Sequence, residues 1–200
     1  MNAIVAVAFG YLAGSVPFSF LLSRRRGVDL RRAGSGNIGA SNVLRTTGVG
    51  AAVAAMLLDA AKGTGAVVVA QMLTADLAVT VAAACAAVVG HVYPVWLRFH
   101  GGKGVATAAG AFAVLAPLAL AVATLVFVVL VSVTRFISAG SIAGAVTLAV
   151  VAAVNAPRVV AIGAAVAAFV VLYRHRDNMM RLVAGTERRI GQLVADETSR

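Results

Sequence analysis

The sequence predicts an all-α integral membrane protein forming a single domain over residues 1–200. Seven transmembrane helices are expected, some short or kinked, with the amino terminus outside and the carboxyl terminus cytoplasmic. Three observations carry that prediction. Of the 200 residues, 61% are hydrophobic and only 12% charged, against about 25% charged in a soluble domain, and mean hydropathy is +0.96. The apolar residues fall into runs long enough to cross a bilayer core, which takes about 20 residues per helix. The basic residues, which give a formal charge of +10, cluster beside those runs. There the positive-inside rule and anionic lipid headgroups account for them, so no nucleic-acid partner is expected. Cys85 stands alone in an apolar run and is read as a packing residue, with no disulfide or cysteine metal set.

Taken in order, residues 3–22 form the first span. Arg24, Arg25 and Arg26 follow its apolar core rather than precede it, so it is a true span and not a secretory signal. Pro17 predicts a kink that frees a carbonyl for a neighbour to satisfy. Arg24–Arg26, Arg31 and Arg32 hold the next loop in the cytoplasm as topology anchors. The second run, Val49–Leu73, contains Asp59 and Lys62. Charges three residues apart pair on a helix, and these are expected near the cytoplasmic end, as a helix-end ion pair or as substrate contacts. After an outer turn at Thr74-Ala75-Asp76, Leu77–Val95 return to an interfacial ending at Gly90-His91-Val92-Tyr93-Pro94 and Trp96. The stretch Val105–Val133, about 29 residues, is too long for one span and short for two. Pro117 divides it into a short piece of roughly fourteen residues and a full span. Residues 134–141 are expected to be cytoplasmic. Ile142–Val154 then run out to Asn155-Ala156-Pro157-Arg158, Val159–Tyr173 return, and a tail from about residue 174 is cytoplasmic.

One polar stretch stands apart from this background: Gly34-Ser35-Gly36-Asn37-Ile38-Gly39-Ala40-Ser41-Asn42. Its glycines permit positive φ and close approach to a ligand. Successive N–H groups in such a turn form a concave anion nest, and Arg45 adds a fork suited to phosphate. A second loop, Arg98-Phe99-His100-Gly101-Gly102-Lys103-Gly104, offers another glycine–lysine anion contact. It lacks the spacing of an ATPase phosphate loop, and Val105 stands where a hydroxyl would be needed.

The predicted topology brings both loops to one face with Arg135, Arg174, Arg176 and Arg181. The hydroxyls and amides of Ser35, Asn37, Asn42, Ser138, Ser141 and Asn178 join them. Such a membrane-surface site suits a substrate with an anionic head and an apolar tail. The carboxylates Asp29, Asp59, Asp76, Asp177, Glu187, Asp196 and Glu197 form no pair suited to Mg²⁺, which argues against CDP-alcohol phosphotransferase chemistry. No metal and no cofactor are expected. Neither His91, His100 nor His175 has an aspartate five residues later, so the His-x4-Asp arrangement of common glycerolipid acyltransferases is absent.

The chain resembles the bacterial acyl-phosphate:glycerol-3-phosphate acyltransferases, the PlsY family. The matching segments are Gly14-Ser15-Val16-Pro17, Gly34 through Arg45, Asp59 with Lys62-Gly63, and Gly90-His91-x-x-Pro94. Gly101-Gly102-Lys103-Gly104-Val105-Ala106-Thr107, Ser138-x-x-Ser141-Ile142, His175-Arg176-Asp177-Asn178, Arg181-Leu182 and Gly185-Thr186-Glu187 follow in the family's order. The resemblance implies seven transmembrane helices. It also implies transfer of an acyl group from acyl-phosphate to the 1-hydroxyl of glycerol 3-phosphate, the first committed step of phospholipid synthesis.

Its motifs make Ser35, Arg45, Lys103, His175 and Asn178 the leading catalytic residues, with Glu187 structural. Phosphates would be held by Gly34, Gly36, Asn37, Gly39, Ser41 and Asn42 in one turn and by Gly101, Gly102 and Gly104 in the other. Lys62, His91, Ser138, Ser141 and Arg176 join them as substrate contacts. Three positions depart from the family: Ser41 replaces a usual threonine, Asp177 a usual glutamate, and His100 a frequent lysine or arginine. The last removes a fixed positive charge at neutral pH.

An acyl-phosphate is already activated, so no covalent enzyme intermediate is required. The protein must orient the hydroxyl, stabilise the oxyanion and hold two phosphates together. The donor phosphate is expected to accept the hydroxyl proton, with Ser35 binding rather than attacking. Partners implied are acyl-phosphate, glycerol 3-phosphate, membrane lipid and the enzyme that makes acyl-phosphate. The active site would face the cytoplasm at the inner (plasma) membrane. A transporter of a phosphorylated solute is the rival, but it needs a polar path through outer halves that are apolar.

Overall fold

The computed structural model describes residues 2–191; the end of the basic tail, with Asp196 and Glu197, lies outside them. Every regular element among the described residues is helical. The first span consists of α1 (Asn2–Ser15) and α2 (Phe18–Arg25), and the kink expected at Pro17 is a complete break. A proline lacks the N–H that would continue the ladder, and at the break the Val16 carbonyl accepts from the Phe18 N–H at 3.1 Å and from Lys62 Nζ at 2.8 Å.

A loop leads to the short α3 (Ala40–Thr46) and then to α4 (Val49–Leu73). Asp76 caps α5 (Leu77–Val92) by accepting from the Ala78 N–H at 2.7 Å. The residue before a proline is biased away from the helical region, and α5 ends just ahead of Pro94, followed by the 3₁₀ turn Val95–Leu97. After the glycine-rich hairpin comes α6 (Val105–Leu115), shorter than the piece expected there, and Pro117 opens α7 (Pro117–Thr134). The chain then forms α8 (Ile137–Asn155), α9 (Arg158–Arg174) and α10 (Arg176–Val183).

Among the described residues, five units are long and apolar enough to cross a membrane: α1 with α2, α4, α5 with its 3₁₀ turn, α7 and α8. The pair α9–α10, bent by 58° at His175, makes a sixth. Asp59 and Lys62 do not sit at the end of α4 as expected. They lie near its middle and are buried, because Ser19 and the broken backbone of the first span supply polar partners there.

Lipid tails are as apolar as leucine, so helices in a membrane associate by close packing of small residues rather than by burial. Gly63 of α4 faces the Thr107 carbonyl of α6, and Gly110 of α6 faces the Ala60 carbonyl of α4. A Cβ at either would lie 2.1 or 1.8 Å from those oxygens. In the same way α1 lies on α5, while α9 bridges α5 to the α7–α8 hairpin. The main core gathers Val67, Val81, Phe112, Ala116, Leu148 and Val160 with neighbouring alanines. A wide space remains between α4 and α6 on one side and α7, α8 and α9 on the other.

Candidate active site

The loop before α3 is shaped by Leu30, Ile38 and Val43, which pack on Ala51, Ala52 and Ala55 of α4. Asn42, fully buried, ties it together. Its Oδ1 accepts from the Ser35 N–H at 2.9 Å, and its Nδ2 donates to the Leu30, Ala33 and Asn37 carbonyls. Gly34 (φ 61°) and Gly36 (φ 72°) take the left-handed turns this clip requires. The clip presents Ser35, Asn37, Gly39, Ser41 and Arg45 to the large space. Gly34, Gly36 and Asn42 are not among the residues lining it, and Asn42 is committed to shaping the loop.

The second glycine turn is built differently from a phosphate nest. The Gly101 N–H donates to the Val92 carbonyl at 3.0 Å and the Gly102 N–H to the His91 carbonyl at 3.1 Å. Arg174 holds the other edge, donating to the carbonyls of Gly101 and Gly102 at 3.3 and 3.2 Å. The two glycines therefore pack the hairpin against α5 and α9, and their amides are not free for an anion. What the hairpin projects is Lys103, with Gly104 (φ 84°) turning the chain into α6.

Lys103 Nζ donates to Asn178 Oδ1. Asn178 Nδ2 donates to Glu187 Oε1 at 2.7 Å, and the Ser138 hydroxyl donates to the same oxygen at 2.9 Å. Arg181 Nε donates to Oε2 at 2.8 Å. One buried carboxylate thus joins α8, α10 and the segment after it. Burial alone would raise its pKa, but the hydrogen bonds from Asn178, Ser138 and Arg181 hold it below the usual range. Burial pushes Lys103 down to about 8; Glu187 opposes this, while Arg181, Arg45 and Arg174 add to it. Arg45 is half-buried and likewise lowered by burial, with Glu187 opposing. His175, at the α9–α10 bend, directs Nδ1 at the Val171 carbonyl at 2.8 Å, which leaves Nε2 for the cavity it lines.

The remaining sequence-predicted residues divide. Ser138 and Ser141 line the cavity, although the Ser141 hydroxyl donates back to the Ile137 carbonyl. Arg176 sits on the rim, stacked on Tyr173 and paired with Asp177. Arg135 is not among the lining residues and donates to the carbonyl of Ile190, which is one of them. Lys62 is turned inward: its Nζ lies 2.9 Å from Asp59 Oδ1, while Ser19 donates to Asp59 Oδ2 at 2.8 Å. His91 borders both this cluster and the main cavity, with Nδ1 3.6 Å from Asp59. Sequence reasoning missed Arg188, which lines the cavity, and Ser19, whose only signal was a hydroxyl in an apolar span.

The two loops, α8 and the α9–α10 bend thus meet around one cavity of about 810 Å³. Arg45, Lys103, His175, Asn178 and Arg181 stand at one end, and its inner walls are apolar residues of α4, α6, α7, α8 and α9. Such a space can take an anionic head with an apolar tail.

Comparison with known proteins agrees with this geometry. The family model described as glycerol-3-phosphate acyltransferase matches residues 4–185. A glycerol-3-phosphate acyltransferase of Myxococcus xanthus is 49% identical over 186 residues, covering 92% of this chain and 97% of that protein. One of Desulforamulus reducens is 43% identical over 195 residues, covering 96% and 97%. Two crystal structures of PlsY, an integral membrane glycerol 3-phosphate acyltransferase, also match. The glycerol 3-phosphate form superposes with a TM-score of 0.91 at 37% identity, covering 96% of both chains. The lysophosphatidic acid form gives 0.89 at 36% identity, with the same coverage.

Proposed function

The chain belongs to the glycerol-3-phosphate acyltransferase family, and on that premise we propose that it acylates the 1-hydroxyl of glycerol 3-phosphate from acyl-phosphate. The products are lysophosphatidic acid and inorganic phosphate. The observation that carries this reading is the continuity of the cavity from a cationic mouth to an apolar interior. A phosphate head and an alkyl tail fit the two ends of one space, and the reacting carbonyl falls between them.

In this reading Arg45 and Lys103 hold phosphate, and Arg181 and Arg188 add to the positive field. Ser35, Asn37 and Ser41 contact the heads through hydroxyl and amide groups, and His175 Nε2 faces the reacting atoms. The glycerol hydroxyl oxygen attacks the acyl carbon, and the bond from that carbon to the phosphate oxygen breaks. The hydroxyl proton passes to the departing phosphate, so neither a base nor an acyl-enzyme is needed. Ser35 binds and does not attack. The cations act by orienting two phosphates and stabilising the oxyanion, at positions fixed before substrate arrives. Lys62 and His91 support the site from beneath, through Asp59.

We place the whole chain, residues 1–200, in one membrane domain of seven crossings, counting α6 as a short one. The amino terminus is outside and the site opens to the cytoplasm. The arginines at 24–26, 31 and 32, beside the loop that forms the mouth, support that orientation.

The test is direct. Purified protein is supplied with acyl-phosphate and glycerol 3-phosphate, without coenzyme A, carrier protein or metal. Phosphate release that depends on glycerol 3-phosphate is expected, and its absence under every lipid condition overturns the donor assignment. Trapping an acylated Ser35 during turnover overturns direct transfer.

A further inference from the structure

The apolar part of the cavity has a definite floor, and we infer that Leu148 of α8 and Leu120 of α7 set the length of acyl chain the protein accepts. This deepens the proposed function and rests on it for the nature of the tail.

The cavity walls are helical stripes with readable depth. On α8 they descend from Ser138 through Ser141, Gly144 and Ala145 to Leu148, and on α7 from Val131 through Phe127 and Ala123 to Leu120. At 1.5 Å per residue, Ser138 to Leu148 is about 15 Å, and Val131 to Leu120 is slightly more. Two independent helices therefore end the cavity at the same level. Directly beyond it, Ala152, Ala116 and Ala119 are almost completely buried, and Leu148 and Leu120 belong to or pack against that core. The outer half of the bundle is filled, and only the inner half is hollow.

The walls above the floor carry small side chains where large ones would close the space: Gly144 and Ala145 on α8, Ala123 on α7, and Ala167 and Ala168 on α9. An extended alkyl chain advances a little over 1 Å per carbon, so about 15 Å holds about a dozen carbons below the level of Ser138.

Burial alone cannot select a chain here, because lipid tails are as apolar as the groove. Selection comes from fit. A chain that stops short leaves a void above Leu148, at about threefold per missing methylene, and a longer chain must bend back toward α4. There Val53, Met56 and Leu57 line the space and are partly exposed on the outer surface of the bundle.

The experiment uses the full chain in lipid nanodiscs and two opposing changes. Leu148→Ala deepens the floor. Ala145→Phe fills the channel about 10 Å below Ser138. Each variant receives glycerol 3-phosphate with an equimolar mixture of acyl-phosphates from octanoyl to stearoyl, and the product ratios are read. Each is also titrated with lysophosphatidic acids of the same lengths. Product ratios within one preparation do not depend on how much protein is folded.

Leu148→Ala is expected to move the preferred chain up by about three carbons and, at about threefold per methylene, raise the long-to-short ratio about thirtyfold. Ala145→Phe is expected to move it down by a similar factor. Product ratios unchanged from wild type in both variants overturn the inference. If wild type transfers nothing from acyl-phosphate, the donor reading fails alone. The lysophosphatidic acid titrations then decide the floor, with an unshifted length profile overturning it.

Discussion

The Asn178 amide is orientated by Glu187: its Nδ2 donates to Glu187 Oε1 at 2.7 Å, so its Oδ1 is the atom turned to Lys103. An ionised carboxylate only accepts, which allows one orientation of the amide. The carboxylate thereby fixes where the lysine at the mouth of the cavity points, without touching it.

Replacing Glu187 by Gln removes that constraint, because a carboxamide can donate as well as accept. Ser138, Asn178 and Arg181 then lose a charged acceptor, and an unsatisfied buried group costs about 1–3 kcal/mol. A drop in kcat/KM of about ten- to hundredfold is expected, with a smaller loss for Ser138→Ala. Steady-state kinetics on both variants check the order.

The pKa of Lys103, about 8, predicts that kcat/KM falls as pH rises through about 8, because the free enzyme loses the ammonium that is proposed to hold phosphate. Bound phosphate favours the charged form, so the corresponding limb in kcat lies at higher pH. Folding stability runs the other way. Between about 8 and the ordinary 10.5 the unfolded chain binds the extra proton, so stability rises with pH across that window. Lys103→Arg removes the limb from any activity it retains. Initial-rate profiles and thermal unfolding over the same pH range test both signs.

Asp59→Asn leaves Lys62 charged and unpaired near the middle of α4. Breaking a buried pair from one side costs about 3–5 kcal/mol. The double change Asp59→Asn with Lys62→Met, which removes both charges, is expected to be more stable than the single one. Unfolding in detergent mixtures measures the difference, and equal losses would mean that the two side chains do not act as a pair.

Gly102→Ala places a Cβ 2.1 Å from His91 Nε2, and Gly101→Ala places one 2.2 Å from the His91 carbonyl oxygen. A ring can rotate aside and a helix-end carbonyl cannot. Gly101→Ala is therefore expected to lose more activity and more thermal stability than Gly102→Ala. The reverse order would argue that Gly102 meets ligand rather than the histidine ring.

The sequence by itself determined the class of the molecule and the positions of its breaks, and it marked out most of the polar residues that line the cavity. Sparse charge, apolar runs and prolines at 17, 94, 117 and 157 act locally, through solvation and backbone geometry, so they can be read without knowing what lies opposite. Ser35, Arg45, Lys103, His175 and Asn178 were legible because polar groups in so apolar a chain stand out and because their motifs match a family.

Only the tertiary structure decided what each polar group faces. Asn42, Gly101 and Gly102 look like ligand contacts in the sequence, yet they spend their hydrogen bonds on holding loops in shape. Asp59 and Lys62 look like a helix end, yet they are buried near mid-helix against the broken first span. The cavity floor at Leu148 and Leu120 is invisible to any local rule, since two leucines among dozens of apolar residues differ only in what packs behind them. A hydrogen bond or a filled core is a relation between distant segments, and it exists only once the helices have met.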